Sequence, residues 1–444
     1  MKLLIVTNGF PPSATGGVEV YSQDLALSLL NKEVEVSVLA RETNIKLKDY
    51  QLLVEKLNDI KIYKIINDFK ELKNFEQFYI NHEINKIYES IIEDIHPDVV
   101  LFNHLIGLSV SLPLITKQNK IPYFVMLHDY WPLCQRVNLI NSKNKICPGP
   151  KAGGNCFDCL TNNSINITKF SDISFLLIKK LIPYYLRQKI KEILGLRSSF
   201  YPTLPSNKYT LIKRFDNFYN SIINARAIFV PSLFVKNIYV RNGYPDGQIK
   251  VLPLGIREIN HNKTHIKEVA NEIRFGFIGT LIPIKGVDIV IKAFKKLPYT
   301  NIKLYIFGRD DVNINYTNYL YDLCKGDERI ILKGKFHPDE RDLIYSYIDY
   351  LIIPSISGES FSLVAREALI RNIPVIASDI GALSEVILPG KNGFLFQPGN
   401  INSLYKILSK IILSPSYKFN NVDSFSKIYT FDEHTDLLLQ YIKE

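Results

Sequence analysis

The sequence predicts an α/β protein made of two doubly wound, Rossmann-like domains facing each other across a cleft. Three observations carry this expectation. The chain has 444 residues, enough for two domains with a core apiece. Short apolar runs alternate with helix-like stretches through both halves, the pattern of parallel sheets with right-handed crossovers. A polar, weakly patterned stretch at 257–271 separates the two runs of alternation, as an interdomain linker does.

The elements follow in order. Leu3–Thr7 reads as a buried strand. Val20–Asn31 reads as an amphipathic helix with Leu25, Ala26, Leu29 and Leu30 on one face. Val34–Ala40 is an expected strand, Asn81–Ile95 a helix stopped by Pro97, and Val99–Asn103 and Tyr123–Leu127 are strands. Residues 141 to about 215 break the rhythm and read as an insertion, rich in Gly, Cys and Lys at first and basic and helical later. Alternation resumes with helix Phe218–Ala225, strand Ala227–Val230, helix Ser232–Arg241 and strand Ile249–Leu252. Past the linker come strand Ile273–Gly279, helix Val287–Lys296, strand Lys303–Phe307, helix Tyr316–Cys324, strand Ile330–Leu332 and helix Arg341–Tyr347. Strand Tyr350–Pro354, helix Phe361–Ile370 and strands Val375–Ala377 and Gly393–Phe396 complete the pattern. The expected domains are 1–258 and 272–425, with 426–444 a C-terminal helix that packs back on the first.

Composition narrows the class. Apolar residues make up 46% and charged residues 22% of the chain, ordinary for a globular protein. No apolar run reaches the roughly 18 residues that cross a bilayer. The apolar start, Met1–Thr7, is too short for a signal peptide and reads as the first strand, which implies a cytoplasmic protein. The net charge of +10 favours nucleic acid, anionic lipid or phosphorylated small molecules as partners. Six of the basic residues (Lys179, Lys180, Arg187, Lys189, Lys191, Arg197) lie close together against Glu192 alone, interleaved with aliphatic and aromatic side chains. This pattern reads either as basic amphipathic helices lying on the anionic inner face of a membrane or as a solvated helical insertion. No nucleic-acid module is present, so nucleic acid is not an expected partner.

The most informative pair is Glu359 and Glu367, seven residues apart in the sense that seven lie between them. A strand precedes them and a helix-like stretch follows. A helix starting near Ser360 carries Glu367 on the face that Glu359 caps, and the strand-to-helix turn offers backbone N–H groups to a phosphate. One acid then holds sugar hydroxyls at the mouth of a site and the other holds hydroxyls deeper in, a layout that suits a sugar nucleotide. The loop after the first strand, Asn8–Glu19, lacks the G-x-G-x-x-G fingerprint, which argues against a dinucleotide. Its Gly16-Gly17 step admits a phosphate close to the backbone, or simply makes a tight turn.

The Pro11-Pro12…Gly16-Gly17-Val18-Glu19 loop and the run His128-Asp129-Tyr130-Trp131-Pro132-Leu133-Cys134 resemble family 4 glycosyltransferases of the GT-B fold. So do Gly279-Thr280-Leu281…Lys285-Gly286-Val287-Asp288, the Glu359/Glu367 pair, and Pro374–Ser378…Gly381…Glu385. The resemblance implies a retaining transferase, group 1 type, that uses nucleotide-diphosphate sugars and requires no cofactor for catalysis. It implies that Gly16 and Gly17 face the donor diphosphate, that Lys285 pairs with it, and that Ser362 and Leu363 bind phosphate through their N–H groups. Glu359 would bind the donor sugar, Glu367 the ribose, and His128 the donor or acceptor near the anomeric carbon. Many members carry Arg where this chain has Thr280, so Thr280 supplies a hydroxyl there, or Arg309 or another cation substitutes. With no second free carboxylate for a double displacement, the resemblance implies front-face substitution.

Five cysteines occur, four of them clustered: Cys134, Cys147, Cys156 and Cys159. The Cys156-x-x-Cys159 spacing fits a structural zinc site, an iron–sulfur cluster, or reduced or disulfide-bonded thiols. A metal there would brace the loop after His128. Cys324 reads as core. The function expected is sugar transfer from a nucleotide-diphosphate sugar to a hydroxyl, most simply a lipid-linked saccharide in surface polysaccharide assembly. A nucleotide-sugar epimerase on the same fold is the alternative, and a nucleic-acid-binding protein, suggested by the net charge alone, is the remaining one.

Overall fold

The computed structural model of the chain describes residues 1–143, 145–161, 205–259, 272–337, 340–414 and 428–444. The basic stretch Lys179–Arg197 lies outside the described residues, as does most of the expected linker. The chain forms two units, Met1–Leu254 together with Phe431–Glu444, and Gly255–Thr430.

The first unit holds an eight-stranded sheet of β1 (Lys2–Thr7), β2 (Glu35–Glu42), β3 (Leu52–Leu57), β4 (Ile60–Ile66), β5 (Val99–Phe102), β6 (Tyr123–Met126), β7 (Ile228–Val230) and β8 (Ile249–Val251). Their order is β3-β4-β2-β1-β5-β6-β7-β8, parallel except for the β3–β4 hairpin. The chain runs one way from β1 to β2 and returns to β1's other side with β5. That reversal makes the β1/β5 edge a topological switch point, where ligands of such sheets bind. Leu3, Leu4, Ile5 and Val6 are fully buried, which is why β1 reads as an unbroken apolar run rather than an alternating one.

The β3–β4 hairpin was not expected from the sequence. Its outer strand β3 is exposed at Glu55 and Lys56 and so lacks a core face to announce it. The helix Leu112–Gln118, started by Pro113 in its first turn, was also missed. The helix His82–Ile95 is capped by the Asn81 side chain, which accepts from the N–H groups of Glu83 and Ile84. It ends at His96 in a left-handed conformation, directly before Pro97.

The second unit holds a six-stranded parallel sheet of β9 (Ile273–Ile278), β10 (Ile302–Phe307), β11 (Ile330–Gly334), β12 (Tyr350–Ile353), β13 (Val375–Ser378) and β14 (Gly393–Phe396). The order β11-β10-β9-β12-β13-β14 places its switch point between β9 and β12. Separate apolar clusters, one around Val287, Val290 and Phe294 and one around Ala365, Leu369 and Leu383, bury its strands. Among the described residues no helix is long and apolar enough to cross a membrane.

Candidate active site

In the second unit the chemistry gathers at the carboxyl ends of β9 and β12. Lys285 ends a short 3-10 turn, Pro283–Lys285, after β9, and Glu359 follows β12. The Lys285 ammonium donates to Glu359 Oε1 at 2.6 Å, and the Ser355 hydroxyl donates to the same oxygen. Burial alone would raise the Glu359 carboxyl, but the Lys285 charge and these two hydrogen bonds hold it below the usual carboxylate range. Glu359 is therefore an anion and Lys285 its counter-ion.

Two glycines fit this pair together. Gly286 has φ +68°, and a Cβ there would lie 2.2 Å from the Pro354 carbonyl oxygen. Only glycine lets the Lys285 turn settle on the end of β12. Gly381 has φ +67°, and a Cβ there would stand 2.6 Å from both the N and the O of Glu359.

The helix Leu363–Ile370 follows, with Ser362 at its N-cap in a left-handed conformation. The first N–H groups of a helix have no partner within it, and the buried Ser362 hydroxyl has none among the described residues either. Glu367 lies one turn in. Its Oε1 meets Arg341 at 2.8 Å and its Oε2 accepts from the Tyr345 hydroxyl at 2.9 Å. The two glutamates thus occupy one strand–turn–helix unit but hold different partners, Lys285 for one and Arg341 for the other. Arg341 and Tyr345 were not singled out in the sequence; a cation two elements upstream gives no local signal that it reaches Glu367. Thr280 is half-buried after β9, and Arg309 pairs with Asp311 at 3.1 Å.

In the first unit, Gly16 is the N-cap and Gly17 the first residue of the helix Gly17–Asn31, with no side-chain cap. The Glu19 carboxylate folds back under this loop. It accepts from Asn8 Nδ2 at 2.8 Å, and a Cβ on Gly16 would approach its Oε2 to 2.4 Å.

His128, just past β6, is buried. Burial, then the neighbouring His104, push its imidazole down to about 3, so it is neutral at ordinary pH. Its Nε2 has no hydrogen-bond partner among the described residues, and neither do Asn103 Oδ1 and Trp131 Nε1. These residues, with His104 and Asp129, line a cavity of about 30 Å³, room for a single water. The tautomer of His104 follows from its partners. Nδ1 accepts from the Ile106 N–H at 3.2 Å, so Nε2 carries the proton and donates to Asp129 Oδ2 at 3.1 Å. Asp129 Oδ1 also accepts from the Trp131 N–H at 2.8 Å. Burial would raise Asp129, but His104 and these bonds hold it below the usual range.

The four clustered cysteines carry free thiols. Among the described residues no group of three or more His, Cys, Asp or Glu side chains is placed to hold a metal ion. Cys147 Sγ instead donates to the Gly149 carbonyl at 3.6 Å, and burial raises the Cys134 thiol and pushes that of Cys156 up to about 12.

Residues 257–424 match the family described as glycosyl transferases group 1. The lipopolysaccharide 1,2-N-acetylglucosaminetransferase of Salmonella typhimurium is 28% identical over 236 residues, 50% of this chain and 58% of that protein. The capsular polysaccharide biosynthesis glycosyltransferase CapM of Staphylococcus aureus is 21% identical, over 57% of this chain and 75% of its own length. The first of these matches, like that to an uncharacterized glycosyltransferase of Methanocaldococcus jannaschii (31% identical over 36% of this chain and 46% of that protein), takes in about half of the relative's length. Among solved structures, the sucrose-phosphate synthase of Thermosynechococcus elongatus superposes with a TM-score of 0.65 at 15% identity, over 100% of this chain and 98% of that one. Anabaena HepE in complex with UDP and glucose gives 0.62 at 14%, over 100% and 99%. Residues 257–424 thus match the group 1 glycosyl transferases, and the chain carries the two Rossmann-like domains of the GT-B fold.

Proposed function

We propose that the protein transfers a sugar from a nucleoside-diphosphate sugar to a hydroxyl acceptor, with retention of configuration, in the assembly of a surface polysaccharide. The observation that supports this most is the Lys285–Glu359 pair beside the start of the helix Leu363–Ile370. A diphosphate needs a cation and N–H donors, and Lys285 with the Ser362–Leu363 turn supplies both. A hexose needs a carboxylate for its hydroxyls, and Glu359 is held ionised for it.

The acceptor oxygen attacks the anomeric carbon as the bond to the diphosphate oxygen breaks. The acceptor's proton passes to the departing phosphate oxygen, and Lys285 takes up the charge that develops there. Glu359, bound to Lys285 and Ser355, is committed to binding and does not serve as a covalent nucleophile. His128 contributes a neutral imidazole with an unpartnered Nε2 to the sugar, and Glu367 takes the ribose. A Lys285 charge at the diphosphate makes added metal unnecessary. The basic stretch Lys179–Arg197, together with relatives named for lipopolysaccharide and capsule, supports a lipid-linked acceptor at an anionic membrane.

The test is a thermal-shift panel of UDP, GDP and ADP and their hexose and N-acetylhexosamine derivatives, run in EDTA. One base is expected to raise the melting temperature by mass action. No shift with any of them overturns the donor site.

A further inference from the structure

We infer that Tyr21 is a positioning residue for His128, and that His434 in the last helix of the chain holds Tyr21 in place. The inference rests on the reading of His128 as a group that touches the sugar.

His128 Nε2 has no partner among the described residues, so that atom does not fix the ring. Packing does. The Tyr21 and His128 rings meet edge to face, with centroids 4.7 Å apart and planes at 64°, a favoured aromatic geometry. Tyr21 is 2% exposed and His434 fully buried.

The Tyr21 hydroxyl lies 2.7 Å from His434 Nε2, and His434 Nδ1 lies 2.8 Å from the Pro253 carbonyl oxygen. A carbonyl only accepts, so Nδ1 carries the proton. Nε2 then holds a lone pair, and Tyr21 donates to it. Burial pushes the His434 imidazole down to about 4, so the ring stays neutral and the bond keeps its direction at ordinary pH.

The helix that carries His434, Phe431–Lys443, is fastened to the helix that carries Tyr21. Lys32 meets Asp432 at 2.9 Å and Asp436 at 2.7 Å, and the Thr435 hydroxyl donates to Ser28 Oγ at 2.8 Å. Residues 413 positions apart thus make one buried chain of contacts: Pro253, His434, Tyr21, His128. Removing the Tyr21 hydroxyl leaves His434 Nε2 buried without a partner and frees the Tyr21 ring to pivot, and His128 turns with it. Small displacements of a group at a reacting centre cost rate rather than binding.

The experiment uses full-length protein with ¹³C,¹⁵N-histidine, free of ligand, with the His128 ring signals assigned by their loss in His128→Ala. In Tyr21→Phe these signals are expected to move or broaden, and kcat for transfer to fall about ten-fold with the donor KM changed less than about two-fold. His434→Gln keeps an acceptor near the Nε2 position and is expected to stay close to wild type, whereas His434→Leu is expected to reproduce the Tyr21→Phe signals. Unmoved His128 signals in folded Tyr21→Phe overturn the inference whatever the rate does. Should Tyr21→Phe fail to fold, equal signals in His434→Gln and His434→Leu overturn it instead. Wild-type transfer by His128→Ala would remove the sugar-contact reading of His128 alone, since the ring signals report positioning independently.

Discussion

Lys285 and Glu359, 74 residues apart in the chain, are joined at 2.6 Å across the switch point of the second sheet. One comes from the turn after β9 and the other from the loop after β12, and a single carboxylate oxygen also collects the Ser355 hydroxyl. In the proposed reaction the same pair divides its labour, with the ammonium on the diphosphate and the carboxylate on the sugar.

Glu359→Gln keeps the shape and removes the charge. Turnover is expected to fall about 100-fold, the scale of losing one preorganised group at a developing charge. Melting temperature against pH checks the electrostatics. The folded Glu359 carboxyl lies below its ordinary 4.5, so its stabilisation is full above that value and is lost as pH falls through the folded value. The difference between wild type and Glu359→Gln should shrink below about pH 4.5; a constant difference down to pH 3 would refute the ion pair.

Gly286→Ala tests the fit of the Lys285 turn. A methyl group at φ +68°, 2.2 Å from the Pro354 carbonyl oxygen, is expected to cost about 1–3 kcal/mol. Urea denaturation should show the lower midpoint, and nucleotide-sugar turnover should fall with it because Lys285 moves.

Glu367→Ala leaves Arg341 and Tyr345 without their shared carboxylate. About 1–3 kcal/mol of stability should be lost, read by the same denaturation. The nucleotide-induced rise in melting temperature should also disappear. Retention of the full rise would show that the ribose does not use Glu367.

Acid should weaken the first unit through its buried imidazoles. Unfolded His128 and His434 take up protons near 6.5, but the folded groups do so only near about 3 and about 4. Between these values the unfolded chain binds more protons. The stability these groups contribute is therefore complete above about pH 6.5 and is lost as pH falls toward the folded values. His434→Gln removes one of the two, and its melting curve should fall less steeply from pH 6.5 to 4.5 than that of the wild type.

The sequence by itself determined the α/β class, the order of most strands and helices, and the residues of the candidate site in the second unit. Those features repeat locally. A buried parallel strand such as Leu3–Val6 is an apolar run, and a site at a strand's end places Lys285 and Glu359 directly after β9 and β12. The edge strand β3 escaped because its apolar residues, Leu52, Leu53, Val54 and Leu57, neither alternate with polar ones nor become fully buried. Only the tertiary structure decided the partners: Lys285 on Glu359, Arg341 on Glu367, His104 on Asp129, His434 on Tyr21. It also left the four clustered cysteines without a disulfide. Each of these depends on sheet register and helix packing that bring distant residues within about 3 Å, a distance at which hydrogen bonds form and which spacing along the chain does not encode.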